Sequence, residues 1–167
     1  VSVSFSAVGN FYIATILILV AAIFDFFDGF FFIFLGAYSP IGKQLDSLAD
    51  IVSFGFAPAF LLHVFLKKMI LPGFLMVEIS FIDLSKLLII LSPFLLTIFA
   101  TVRLAVFNID TKQKSRFIGL PVPAVALFFI SLIISLEMQT IDLYIHEINW
   151  VLMILAFSVL MVISFPM

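Results

Sequence analysis

The sequence predicts an all-α, polytopic transmembrane helix bundle, on three observations. Of the 167 residues, 65% are hydrophobic and 11% charged, with a mean hydropathy of +1.37. A soluble domain of this length has no core large enough to hide so much apolar surface. The apolar residues also fall into long runs, and a run of about 20 crosses a bilayer about 30 Å thick. Turn signals stand between the runs: Gly9-Asn10, Gly36, Ser39-Pro40, Pro72-Gly73 and the Gly119-x-Pro121-x-Pro123 stretch.

Composition also removes function classes. A formal net charge of −2 offers no basic field for nucleic acid. The lack of cysteine excludes disulfides and thiolate metal sites, leaving oxygen ligands and two histidines. Val1 is not an initiator and no basic flank precedes the first apolar residues, so a cut N-terminus is expected rather than a signal peptide. No fixed-period repeat or low-complexity linker divides the chain, which reads as one membrane-embedded domain over residues 1–167.

Val1 to Ala7 is apolar but too short to span. From Phe11 the chain runs apolar to about Leu35, where Gly36 suits a helix C-cap. Ser39-Pro40 suits an N-cap followed by proline in the first turn, so a second helix is expected from Pro40 to about Leu66, bent at Pro58. Residues 11–66 then form a helix hairpin. Lys67-Lys68 and Pro72-Gly73 open a mixed segment, interrupted by Glu78, Asp83 and Lys86, that reads as a loop with an interfacial element. Over residues 84–165 further spans are expected from Leu84 to about Phe107, Leu120 to about Met138 and Glu147 to Phe165, making five spans and a remnant of a sixth. If the turn at Gly36 faces the cytoplasm, that side carries Lys43, Arg103, Lys112, Lys114 and Arg116 against Lys67, Lys68 and Lys86 opposite. The excess of cations places this turn inside.

Four carboxylates stand out against this apolar background. Asp25 and Asp28 are three apart and Asp46 and Asp50 four apart, so each pair shares a face of its own helix. Asp28 and Asp46 lie about 10–12 Å from the turn along their helices, and Asp25 and Asp50 about 16 Å. In an antiparallel hairpin the pairs meet at matching depths. One such pair alone is ordinarily a solvated face, and lone glycines in membrane helices are ordinarily packing contacts. Two pairs at one depth in hydrophobic helices point instead to a function, because each acid costs about 2.5–3.5 kcal/mol at the bilayer centre without a partner. A hard, oxygen-rich set of this kind suits Mg²⁺ or Mn²⁺. Gly29 and Gly42 remove side chains where a nucleotide or phosphate could approach the backbone.

The spacing Asp25-x2-Asp28-Gly29, then Gly42-x3-Asp46-x3-Asp50, resembles the signature D-x2-D-G-x2-A-R-x8-G-x3-D-x3-D of the CDP-alcohol phosphatidyltransferase family, without a gap. Arg103-Leu-Ala-Val-Phe-Asn108 and Phe117-Ile-Gly-Leu-Pro-Val-Pro123 resemble segments of its phosphatidylserine synthase branch. The resemblance implies a six-helix membrane enzyme whose first helix is here largely missing, a homodimer in the bacterial cytoplasmic membrane with its active site towards the cytoplasm. It implies that Asp25, Asp28, Asp46 and Asp50 bind Mg²⁺ or Mn²⁺ and that Asp50 is the general base. Gly29, Gly42 and Lys43 would bind the nucleotide, and Arg103, Asn108 and Arg116 the acceptor or a phosphate. The implied reaction joins CDP-diacylglycerol and L-serine, giving phosphatidylserine and CMP. The sequence departs from the pattern at one place: Phe32-Ile33 stands where the family has Ala-Arg. Position 33 lies four after Gly29 and eight after Asp25, on one helix face, and Lys43 and Arg103 are the cations available to compensate.

For the remaining residues simpler roles compete. An Arg at a span end commonly snorkels to the headgroups, although the context of Arg103 favours a carboxylate or phosphate. Asn108, Lys112, Lys114 and Arg116 read first as a basic loop facing anionic lipid. His63 and His146 have no partner at ligand spacing, Trp150 with Tyr144 reads as an interfacial belt, and the phenylalanines as packing or lipid-facing. Two other functions are weighed: the same donor with glycerol phosphate, inositol phosphate or choline as acceptor, and a divalent-cation transporter. The chain lacks the paired discontinuous helices that many transporters use.

Overall fold

The computed structural model describes residues 1–7, 10–35, 40–71, 83–109, 119–138 and 146–163; among these, the side chains of Phe5, Ala7, Phe26, 28–35, Pro40, Lys43, Phe107 and Ile109 are not described. The described residues are helical apart from short connections. In chain order they form α1 (Ser2–Ala7), α2 (Phe11–Leu35), α3 (Pro40–Asp50), a π-helical stretch (Ile51–Phe56), α4 (Ala57–Ile70), α5 (Leu84–Leu91), α6 (Phe94–Ile109), α7 (Val122–Glu137) and α8 (Glu147–Val162). The all-helical bundle expected from the apolar runs is present. The turn at 36–39, the mixed segment at 72–82 and the basic loop at 110–118 lie outside the described residues.

Gln44–Ile70 is long and apolar enough to cross a membrane by itself. Its sequence-expected end at Leu66 moves out to Ile70, and Lys67 and Lys68 sit in its last turn, where they complement the helix dipole. The irregularity expected at Pro58 lies ahead of it, as the π-helical stretch. Proline has no N–H, and its ring crowds the carbonyl four residues back, Phe54. Widening the helix there accommodates the ring, and the Ala57 N–H reaches back five residues to Val52 O.

The single span expected over 84–107 is broken at Ser92-Pro93, where α5 and α6 meet with a bend of 40°. Pro93 leaves Ile89 O without its helical partner, and Ser92 Oγ donates to that carbonyl at 2.7 Å. The next carbonyl, Ile90 O, lies 2.7 Å from His63 Nδ1, which must carry the hydrogen because a carbonyl only accepts. His63 thus mends a broken span, a role its sequence context does not suggest. At bilayer depth such internal satisfaction is required, since lipid supplies no partner.

α4 lies at the centre and touches α1, α2, α5, α6 and α7, while α6 packs most extensively on α8. Leu61, Leu62, Leu66, Ile133 and Ile154 have no exposed surface, and Phe65 of α4 meets Phe11 edge-on at 6.0 Å. Trp150 corrects the interfacial expectation. It is fully buried, with its ring 5.6 Å from that of Phe65. Its place on α8 turns it towards α4, where a large ring gains most by enclosure. Tyr144, its expected companion, lies outside the described residues. At the far end of α4, Lys68 pairs with Glu137 of α7 at 2.8 Å and lies over the Phe11 ring at 5.2 Å, joining the ends of three helices.

Candidate functional site

The acids predicted to meet do so in part. The carboxyl of Asp50, the last residue of α3, is within hydrogen-bonding range of that of Asp25 on α2, and Asp46 is near enough to add its charge. Asp25 and Asp50 are partly buried and Asp46 is exposed. Asp28 lies on α2 less than one turn beyond Asp25, with Gly29 next to it, but the side chain of Asp28 is outside the described residues, as are those of Phe32, Ile33 and Lys43. Gly42 is on α3, one turn before Asp46. Arg116 is outside the described residues altogether.

Two carboxylates this close repel unless a cation or a shared proton lies between them. Oδ1 of Asp50 is buried and has no hydrogen-bond partner among the described residues. Among those residues, no three His, Cys, Asp or Glu side chains are arranged to hold one ion. The donors that do converge are hard carboxylate oxygens with an unmade bond, and they fit Mg²⁺ or Mn²⁺.

α6 supplies the other polar groups. Asn108 Nδ2 donates to Ser47 Oγ at 3.0 Å, so Asn108 is held against the acid-bearing helix between Asp46 and Asp50. The sequence groups Asn108 with the basic loop; the helix in fact runs to Ile109 and turns this amide inward. Arg103 is partly buried, with one guanidinium nitrogen 3.5 Å from Gly119 O and its Nε buried with no partner among the described residues. An Arg spending one weak contact on a carbonyl retains donors for a carboxylate or phosphate.

The backbone at Gly119 explains why Arg103 finds that carbonyl. Gly119 has φ +78°, and a Cβ there would stand 2.5 Å from Met161 O at the end of α8. The Leu120 N–H then caps α8 by donating to Leu160 O at 3.2 Å. The turn signalled by Gly119-x-Pro121-x-Pro123 is thus a close crossing of two chain segments.

Two residues of this region escape a reading of the sequence. Ser47 is hidden between two aspartates, although its offset from the acid face puts it towards a neighbour. Thr97 donates to Gly55 O in the π-helical stretch at 3.1 Å, and nothing in an apolar run marks such a contact.

The family model for CDP-alcohol phosphatidyltransferase matches residues 1–162. The chain is 30% identical over 165 residues to an archaetidylserine synthase of Methanothermobacter thermautotrophicus, covering 98% of this chain and 61% of that protein. It is 33% identical over 114 residues to the CDP-diacylglycerol–serine O-phosphatidyltransferase of Bacillus subtilis, covering 68% of this chain and 56% of that protein. The enzyme of the same name from Methanocaldococcus jannaschii is 34% identical over 114 residues, with 68% and 47% covered. The chain thus spans about half to three-fifths of the length of these relatives. No solved structure matches it.

Proposed function

The chain belongs to the CDP-alcohol phosphatidyltransferase family, and from this premise we propose that it transfers a phosphatidyl group from CDP-diacylglycerol to the hydroxyl of L-serine, releasing CMP. The observation that carries the reading is the approach of Asp50 to Asp25 across two helices. The serine acceptor is supported by the relatives' names, which all include it. Apolar helices and the family together make this a membrane protein, and the acid-bearing end faces the cytoplasm by its excess of cations.

Each residue has a part in the transfer. Asp50 takes the proton from the serine hydroxyl on a carboxylate oxygen, and the freed serine oxygen attacks the phosphorus esterified to the lipid. A new P–O bond forms to serine as the P–O bond to the CMP phosphate breaks, and that phosphate leaves with the electron pair. Arg103 and Asn108 orient serine or a phosphate oxygen from α6, and Arg116 adds a cation from the loop beyond. Gly29, Gly42 and Lys43 make room and charge for the nucleotide. Asp25, Asp28, Asp46 and Asp50 would hold Mg²⁺ or Mn²⁺, which supplies charge neutralisation for the diphosphate. Two copies of the chain assemble as a homodimer.

The test is incorporation of radiolabelled serine by the full-length protein, compared with glycerol phosphate, inositol phosphate and choline. Serine is expected to be the preferred acceptor, and transfer to another alcohol with none to serine overturns the assignment. The relative matched over nearly the whole chain is named for archaetidylserine, so an archaetidyl donor is the second reading. Running the same assay with each donor lipid separates the two.

Phe32-Ile33 gives a second expectation. With Phe32→Ala and Ile33→Arg introduced together, turnover should rise about tenfold, the worth of one charge-assisted hydrogen bond. Unchanged or lower turnover in the same assay means that the site has adapted to the apolar pair.

A further inference from the structure

The acids of α3 owe their direction to the helical turn immediately beyond them. α3, the π-helical stretch and α4 form one rod, so the azimuth of Asp46 and Asp50 is tied to the core face of α4. Asp50 and Leu61 are eleven residues apart, about three α-helical turns, so an unbroken α-helix would place them almost in line. Leu61 is fully buried in the core, whereas Asp50 is only partly buried and reaches Asp25. The π-helical stretch lies between them. Its extra residue per turn rotates one end of the rod against the other by about 100°, one residue's worth.

A wide turn of this kind persists only when its surroundings hold it. Pro58 disfavours the α-helical alternative from within the rod, and Thr97 acts from the neighbouring helix. The Thr97 hydroxyl donates to Gly55 O at 3.1 Å. Beside it the two helices pack closely, since a Cβ at Gly55 would stand 3.4 Å from Ala100 Cβ, at ordinary contact distance. With Asn108 bonded to Ser47, α6 grips the acid-bearing rod on both sides of Asp50.

We propose that Thr97 is a positioning residue, which through Gly55 and the π-helical turn holds the Asp50 carboxyl against that of Asp25, the pair whose oxygens would meet a divalent cation. This rests on the phosphatidyl-transfer reading above. Thr97 touches neither substrate nor cation. Its loss should therefore act on metal affinity and leave the metal-free fold intact.

The experiment measures Mn²⁺ binding by electron paramagnetic resonance, together with metal-free thermal unfolding, on the protein purified in detergent. Thr97→Val keeps the shape and removes the hydroxyl, and is expected to weaken Mn²⁺ binding about tenfold or more without lowering the metal-free melting temperature. Thr97→Ser should restore binding. Pro58→Ala, which returns an N–H to the rod from the other side, should weaken it as well. Parent-like Mn²⁺ binding in Thr97→Val overturns the proposal, and so does a lowered metal-free melting temperature with unchanged binding, the mark of a merely structural contact. If the parent binds no Mn²⁺ and transfers no phosphatidyl group, the underlying reading fails first, and this result is distinct from failure of the variant alone.

Discussion

Asp50→Asn is expected to lower turnover by about 10²–10⁴-fold, the range of a lost general base. The same change should leave the fold intact, and the structure says why. Asp50 faces Asp25, with Asp46 close by, so the substitution removes like-charge repulsion and puts an amide donor opposite a carboxylate. Without divalent cation the variant should unfold at or above the parent's temperature. With Mn²⁺ added, the parent should gain stability that the variant does not, because an amide oxygen is the weaker ligand. Initial-rate assays and thermal unfolding with and without Mn²⁺ measure both halves. Near-normal turnover would remove Asp50 as the base.

Gly119→Ala carries the largest expected cost in stability. The φ of +78° penalises any side chain, and the new methyl would meet Met161 O, a backbone atom that yields only if the end of α8 moves. Left-handed strain with that displacement should cost about 2–4 kcal/mol. It should also disturb Arg103, whose contact is the carbonyl of the same residue. Gly55→Ala is the control: its methyl would make close but ordinary contact with Ala100, and its φ carries no penalty. Denaturant unfolding in detergent should separate the two variants clearly. Equal losses would mean that the end of α8 gives way easily at Gly119.

The sequence disclosed the helices and the acid pairs because both are written in simple periodic terms. Phe11 to Leu35 is one apolar run ended by a glycine, and α2 has those bounds. The aspartates three and four apart stand out against an apolar background, and equal offsets from one turn brought Asp25 to Asp50. What stayed hidden was the detail inside uniformly apolar stretches. Where nearly every side chain is hydrophobic, periodicity cannot tell a core face from a lipid face. Trp150 therefore reads as interfacial although it is buried against Phe65. Pro58 and Pro93 announced irregularity without its form: a π-helical stretch upstream of one, a 40° break at the other. Polar side-chain contacts, such as Thr97 to Gly55 and Asn108 to Ser47, join residues 42 and 61 apart in the chain and leave no local trace.

The continuous rod of α3, π-helix and α4 has two unlike halves. Leu61, Leu62 and Leu66 are wholly enclosed, whereas Leu45, Leu48 and Val52, which flank the aspartates, are 61%, 58% and 60% exposed. Exchanging one apolar residue for another around the acids therefore disturbs few packed atoms, while the same exchange about four turns later opens or overfills a core. Natural variation can consequently explore the neighbourhood of the chemistry at little risk to folding. In this architecture the first half of one helix is constrained by its acids and the second half by the core, so the two ends of a single rod answer to different demands.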